Sequence, residues 1–128
     1  MSKIIEISTN KAPSAIGAYS QAIKANNMVF ISGQIPLDPK TMEVVSDNFD
    51  SQVNQVLNNI VSIAMEAGCN KNNIVKITVF LKNLENFQAV NKAIEKTFLK
   101  PYPARAAVEV SRLPKDVEVE MDAILICN

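Results

Sequence analysis

The hydrophobic residues between positions 48 and 67 repeat with the period of an α-helix, and this pattern constrains the fold more than any other. Either Asp47 or Ser46 can cap the start of this segment, and Gly68 can end it. The spacing predicts an amphipathic helix from about Asn48 to Ala67, whose apolar stripe must be buried against another element. The stripe consists of Phe49, Val53, Val56, Leu57, Ile60, Ile63, Ala64 and Ala67.

After this helix the hydrophobic period changes to two and then returns to that of a helix. Residues Ile74 to Lys82 alternate, which predicts a strand. Its buried face is expected to carry Val75, Ile77, Val79 and Leu81. A second amphipathic helix follows, which Asn83 or Asn86 can cap and Pro101 closes. The apolar stripe of that helix consists of Leu84, Phe87, Val90, Ile94 and Phe98.

Three short segments with the character of strands precede the first helix. They cover Lys3 to Ile7, Tyr19 to Ala25 and Met28 to Ser32. The Asn26-Asn27 pair between the last two suits a tight hairpin turn, because asparagine tolerates positive φ. The N-terminal part of the chain is therefore expected to form strands joined by loops.

The stretch from Tyr102 to Glu120 reads as two strands joined by a turn that contains proline. The first strand places Arg105 among small apolar residues, and burying a cation there is costly without an anionic partner. The second strand has acids at every second position, Glu118, Glu120 and Asp122, alternating with apolar residues. Such a strand has one core face, and we expect its other face to form a site.

The order of these segments predicts a single α+β domain over residues 1–128, with a mixed sheet of roughly six strands. Two helices can cover only one face of such a sheet. The other face is expected to carry Phe80, Ala107, Ile124 and Ile126 together with Arg105 and Glu120. That face is too apolar to remain in water, which favours a homo-oligomer that buries it between subunits.

The amino-acid composition argues against several classes of function. Thirteen basic and thirteen acidic residues give zero net charge, which argues against electrostatic binding of nucleic acid. The chain has no histidine, so the commonest general base and zinc ligand are missing. Cys69 and Cys127 form no disulfide framework, and Cys69 is interpreted as a small apolar filler. The sequence lacks the pattern of a signal peptide or membrane span, so a cytoplasmic protein with no membrane partner is expected.

Five segments, in collinear order along nearly the whole chain, resemble the Rid family of reactive intermediate deaminases, also called the YjgF family. The similarity is to the archetypal deaminase branch. The segments are residues 15–22 (AIGAYSQA), 31–41 (ISGQIPLDPKT), 74–82 (IVKITVFLK), 87–91 (FQAVN) and 103–121 (PARAAVEVSRLPKDVEVEM).

This resemblance implies a chorismate-mutase-like fold and a trimer with three clefts between subunits. It also implies hydrolysis of 2-imino acids, such as 2-iminobutanoate and 2-iminopropanoate, to 2-oxo acids and ammonia, without metal or cofactor. By position, Arg105 matches the residue that binds the substrate carboxylate, and Glu120 the carboxylate that positions water. The residues that match the lining or support of the cleft are Tyr19, Ser32, Gly33 and Asn91, and Ala107 stands where this branch often has cysteine.

The residue types suit this chemistry. Arginine meets a planar carboxylate with two parallel N–H bonds, and one carboxylate can orient a water molecule and shuttle its proton. Other interpretations remain open: Arg105 and Glu120 as a structural ion pair, a module that binds a 2-oxo acid or amino acid without turnover, or a translation inhibitor or ribonuclease. Glu120 favours the enzyme over the binding module, because binding alone needs no water-activating base.

Overall fold

The computed structural model describes residues 3–128, which form one sheet covered by two helices. The six strands are β1 (Ile4–Ile7), β2 (Ala22–Ala25), β3 (Met28–Gln34), β4 (Ile74–Leu81), β5 (Ala104–Glu109) and β6 (Val119–Ile126). The two helices are α1 (Phe49–Glu66) and α2 (Phe87–Thr97). Neither helix, nor any other among the described residues, is long and apolar enough to cross a membrane.

The strands lie in the order β1-β2-β3-β6-β4-β5. Only β4 and β5 are parallel, and every other neighbouring pair is antiparallel. This confirms a single α+β domain with a mixed six-stranded sheet. The two C-terminal strands are connected by the turn at Pro114, but they are not neighbours, because β4 lies between them.

Helix α1 begins one residue later than predicted and ends one residue earlier. The cap is Asn48, not Asp47 or Ser46: its side chain accepts a hydrogen bond from the backbone N–H of Ser51. The Ser46 hydroxyl instead accepts from the backbone N–H of Asn48. Gly68 follows the helix with φ of 83°, a left-handed conformation that glycine adopts without steric cost, so the predicted stop is confirmed.

Both helices cover the same face of the sheet, and the core lies between the helices and that face. Its fully buried side chains include Val53, Val56, Ile60 and Ile63 from α1, and Val29, Ile77, Val79, Met121 and Leu125 from the strands. Val75, which the alternation places on this face, is 44% exposed, and Ile74 is buried instead. The register of β4 against β6 shifts between Ile74 and Lys76, and this bulge reverses the expected facing.

The opposite face of the sheet, which we call the open face, carries apolar side chains outward. Phe30, Val108 and Ile126 are each more than a third exposed, and Phe80 and Ile124 are partly buried. Glu120 and Asp122 alternate with the core residues of β6 and lie on the open face. Several exposed apolar side chains on one face of a sheet are typical of a protein interface.

The prediction that Arg105 and Ala107 share the open face is wrong. In the parallel β4–β5 pair, Arg105 lies opposite Ile77 and Ala107 opposite Val79, both of which face the helices. Paired residues point to the same side of a sheet, so Arg105 and Ala107 lie on the helix side. The residues of β5 on the open face are its alternate members, Ala106 and Val108.

The prediction that the two cysteines form no disulfide, with Cys69 as a small apolar filler, is also wrong. Cys69, just after α1, and Cys127, just after β6, form a disulfide with a Cα–Cα distance of 5.8 Å. Fifty-eight positions separate them in sequence, and the spacing alone gives no sign of the pairing. The pairing arises because the end of α1 packs beside the end of β6, which brings both cysteine side chains into the core.

Candidate active site

A cavity of about 370 Å³ opens beside Glu120, and we call it the Glu120 pocket. Its walls combine a carboxylate, two hydroxyl-bearing side chains and an apolar surface. The lining residues are Ile16, Tyr19, Ser32, Gly33, Ile35, Pro114 and Glu120. Four of the residues expected in the cleft, Tyr19, Ser32, Gly33 and Glu120, are therefore brought together.

Gly33 allows the Glu120 side chain to lie directly against the backbone of β3. A Cβ atom at position 33 would be 2.5 Å from Oε2 of Glu120 and 3.0 Å from its Cδ. The first distance is too short for non-bonded atoms, and the second is unusually tight. The Glu120 carboxylate occupies the volume that a side chain at position 33 would fill, so any such side chain would have to displace it.

Two effects raise the pKa of the Glu120 carboxyl above its ordinary value. The larger is partial burial, which disfavours the charged form, and the smaller is the negative charge of Asp122 on the same face. Burial also raises the pKa of Asp122, while a hydrogen bond with Thr78 and the charge of Lys76 act in the opposite direction. A carboxylate with a raised pKa inside a cavity is a candidate general base.

The loop that carries Tyr19 is held by Gln21, a residue that sequence reasoning missed. Gln21 is 3% exposed, and its amide donates to the carbonyls of Thr9, Ala12 and Pro13 and accepts from the backbone N–H of Thr9. A buried amide satisfied in this way fixes the path of the loop. A lone glutamine at the start of a strand gives no signal of this role in sequence.

Ser32 joins the same loop to β3. Its hydroxyl donates to the carbonyl of Ser20 at 2.7 Å, and its backbone N–H donates to the carbonyl of Gln21 at 2.9 Å. The hydroxyl proton of Ser32 is therefore engaged by the backbone, and its oxygen remains available as an acceptor. Ser32 both supports the wall of the Glu120 pocket and lines it.

The turn between β5 and β6 completes the pocket through Pro114. Lys115 and Asp116 have φ of 54° and 56°, a left-handed conformation that is costly for residues other than glycine. Lys82 forms ion pairs with Asp116 in the turn and with Glu118 just after it. These contacts link the turn to the residue that follows β4.

Arg105 lies at a second cavity of about 330 Å³, the Arg105 pocket, whose lining residues are Asn91, Ile94, Glu95, Tyr102, Pro103 and Arg105. Nη1 of Arg105 donates a hydrogen bond to Oδ1 of Asn91. The guanidinium carbon lies 4.5 Å from the centre of the Phe87 ring. Asn91, predicted to support the cleft, contacts Arg105 and not Glu120.

Within one chain the expected site residues thus form two groups on opposite faces of the sheet. Glu120, Tyr19, Ser32 and Gly33 form one group, and Arg105 and Asn91 form the other. Ala107 lines neither pocket and packs against the core. In residues 3–128, no three Cys, Asp or Glu side chains converge to form a possible metal site.

The chain is similar to known proteins over most of its length. Residues 9–127 match the model of the family described as Endoribonuclease L-PSP. A RutC family protein of Pyrococcus abyssi is 52% identical over 118 residues, which cover 92% of this chain and 93% of the relative. The 2-iminobutanoate/2-iminopropanoate deaminase of Escherichia coli K12 is 46% identical over 123 residues, which cover 94% and 95% of the two chains.

The fold is also similar to that of a solved structure. RidA from the Antarctic bacterium Psychrobacter sp. PAMC 21119 superposes with a TM-score of 0.92 at 46% sequence identity. The match covers 95% of this chain and 98% of that protein.

Proposed function

This chain belongs to the Endoribonuclease L-PSP family, the family of the YjgF/Rid proteins, and we propose that it is a deaminase of 2-imino acids. Its substrates are small 2-imino acids such as 2-iminobutanoate and 2-iminopropanoate, and its products are 2-oxo acids and ammonia. The observation that carries the proposal is the partly buried Glu120 carboxylate with a raised pKa in a small cavity. The Escherichia coli deaminase named above supports it at 46% identity.

In this mechanism Arg105 binds the substrate carboxylate. One of its five N–H donors is engaged by Asn91, which leaves a pair free to meet two carboxylate oxygens. Lysine would not replace it, because an ammonium group gives no planar fork. The binding fixes the plane of the conjugated C=N group relative to the attacking water.

Glu120 supplies the general base. It accepts a proton from a water molecule as the water oxygen bonds to the imine carbon, and the resulting carboxylic acid delivers that proton to the imine nitrogen, which gives a tetrahedral aminoalcohol. The Glu120 carboxylate then takes the proton of the new hydroxyl as the carbonyl forms and passes it to the nitrogen as the C–N bond breaks to release ammonia. A raised pKa suits a group that must both accept and return a proton near neutral pH.

Because Arg105 and Glu120 lie on opposite faces of one sheet, we further propose that each site forms between two chains. Arg105 of one chain faces the Glu120 pocket of its neighbour, and three chains close the ring with three such sites. The apolar open face is then buried between subunits, which accounts for its exposed Phe30, Val108 and Ile126. This arrangement also explains why neither pocket is complete alone.

The test is to follow the lifetime of free 2-iminobutanoate generated by a threonine dehydratase, with semicarbazide as a competing trap. Wild type should shorten that lifetime and release 2-oxobutanoate and ammonia faster. Arg105→Ala should lower kcat/KM by about 10- to 100-fold through lost charged hydrogen bonds. Glu120→Gln, a nearly isosteric change, should lower kcat by roughly 10²- to 10⁴-fold.

A wild type that leaves the imine lifetime unchanged contradicts the deaminase. If it then binds 2-oxobutanoate in a way that Arg105→Ala abolishes, the protein is a binding module. The name of the family favours a second candidate, ribonuclease. Zero net charge and 5% aromatic residues count against it, and salt-dependent retention on immobilised RNA tests it directly.

A further inference from the structure

We infer that Phe87 is the positioning residue that orients Arg105 for carboxylate binding. Phe87 is the first residue of α2 and is partly buried. Its ring lies beneath the Arg105 guanidinium, 4.5 Å from the guanidinium carbon. The geometry of this inference comes from the observed contact between Phe87 and Arg105. Its consequence for turnover rests on the proposed function.

Arg105 needs such support because it lies on β5, the edge strand of the sheet, and its side chain is exposed within the chain. A free arginine side chain samples many rotamers, and the freedom lost on binding weakens affinity. Two contacts from α2 restrict it. The Asn91 oxygen fixes one end of the guanidinium, and the Phe87 ring holds the guanidinium carbon over its face.

Asn91 and Phe87 contact different parts of the Arg105 guanidinium. Asn91 takes up an N–H group, whereas a ring engages the face of the guanidinium through its negative quadrupole and leaves every N–H free. The edge of the guanidinium therefore remains available for two parallel bonds to a carboxylate. An aliphatic side chain at position 87 could fill the same space but would not attract the cation.

The experiment compares Phe87→Leu with Phe87→Tyr, which keeps an aromatic face. The chain has two arginines, Arg105 and Arg112, so the side-chain Nε–Hε NMR signals of the full-length protein give one reporter and one internal control. In Phe87→Leu, the Arg105 signal should lose its ring-current shift and gain mobility, while the Arg112 signal stays unchanged. Phe87→Tyr should resemble wild type in both signals.

Binding and turnover give the second measurement. Phe87→Leu should weaken 2-oxobutanoate binding and raise KM for the imine by roughly 3- to 30-fold, with a much smaller change in kcat. Phe87→Tyr should retain wild-type values. A merely structural role would lower kcat and thermal stability together and would leave Arg105 mobility unchanged in folded protein.

An Arg105 signal that is the same in Phe87→Leu and wild type overturns the inference, whatever the activity. Unchanged binding of 2-oxobutanoate in a Phe87→Leu protein whose Arg105 is mobile overturns it too. If wild type binds the 2-oxo acid but hydrolyses no imine, the proposed function fails, and a weakened Kd in Phe87→Leu still supports the positioning role. If wild type binds no 2-oxo acid, the carboxylate role of both residues is overturned.

Discussion

Gly33 and Glu120 occupy a space that has no room for one more methyl group. The carboxylate lies where a Cβ at position 33 would be, so the identity of one residue decides the conformation of the other. A clash with the end of a flexible side chain can be relieved by rotation of that side chain. The expected consequence of filling this space is a displaced carboxylate in an otherwise intact fold.

We therefore predict that Gly33→Ala lowers kcat for imine hydrolysis by roughly 10-fold or more, because the general base moves away from the water it must hold. Thermal stability should change little. The matched control is Gly17→Ala, where a new Cβ would lie 3.5 Å from the nearest atom of the Tyr19 ring, an ordinary contact. Equal effects of the two changes, measured as kcat and Tm, would contradict the steric argument.

The raised pKa of Glu120 predicts a trade between stability and activity. The folded protein holds this proton more tightly than the unfolded chain does, so its stabilising contribution is complete below the ordinary glutamate pKa and is lost as pH rises through the folded value. Glu120→Gln should therefore raise Tm at pH 7, by roughly 1–3 °C after allowance for solvent screening, although it lowers kcat.

The gain from Glu120→Gln should vanish at about pH 4, where the wild-type carboxyl is protonated as well. Thermal unfolding of both proteins across this pH range measures it. Glu43→Gln, at an exposed loop position, serves as the control and should show no comparable gain at pH 7. A gain that persists unchanged at pH 4 would mean that removal of charge is not its source.

Residue identity could predict many of the residues of the candidate site, but not which of them contact each other. The alternation of β6 correctly places Glu120 and Asp122 away from the core. Nothing in the sequence indicates that Asn91 contacts Arg105, that Phe87 stacks on it, or that Gln21 holds the Tyr19 loop. These contacts join residues of different segments, and only the packing of α2 and of the N-terminal loop brings them together.

At the level of elements, the register between β4 and β5 determines which side of the sheet Arg105 faces, and the period of the sequence does not. One face of β5 carries Ala104, Ala106 and Val108, and the other carries Arg105, Ala107 and Glu109, so polarity alone would turn the face of Arg105 away from the core. Pairing with β4 assigns Arg105 to the helix side. The strongly amphipathic α1, by contrast, could be predicted within one residue at each end, because a single stripe of large apolar residues defines its buried face.

The disulfide between Cys69 and Cys127 links the end of α1 to the end of β6 and predicts a stability that depends on redox conditions. A cross-link that closes a loop of 58 residues stabilises by up to about 4 kcal/mol in the chain-entropy model. Reductant should lower the free energy of unfolding in urea by about 2–4 kcal/mol. A Cys69→Ala/Cys127→Ala variant should be insensitive to reductant, and an unaffected wild type would contradict the prediction.

At the level of the whole molecule, the separation of Arg105 and Glu120 makes assembly a condition of activity. If each site takes one residue from each of two chains, two strongly impaired variants can complement each other. Arg105→Ala chains retain Glu120, and Glu120→Gln chains retain Arg105. Mixed assemblies then contain some sites in which both residues are wild type.

We predict that unfolding and refolding a 1:1 mixture of Arg105→Ala and Glu120→Gln restores roughly a quarter of wild-type activity, the share of sites expected from random assembly. Each variant refolded alone should keep only its own low activity, at most about a tenth of the wild-type value, which is the control. A mixture as inactive as its components would mean that both residues act within one chain. Activity per chain should also fall on dilution below the concentration at which the wild-type assembly dissociates.

The Cys69–Cys127 link also determines what happens when the backbone is cut. The exposed turn at Lys115 and Asp116 lies inside the segment that the disulfide closes, so a protease that nicks it leaves two fragments covalently joined. One fragment carries Arg105 and the other carries Glu120. The nicked protein would run as a single species on a non-reducing gel and as two only after reduction.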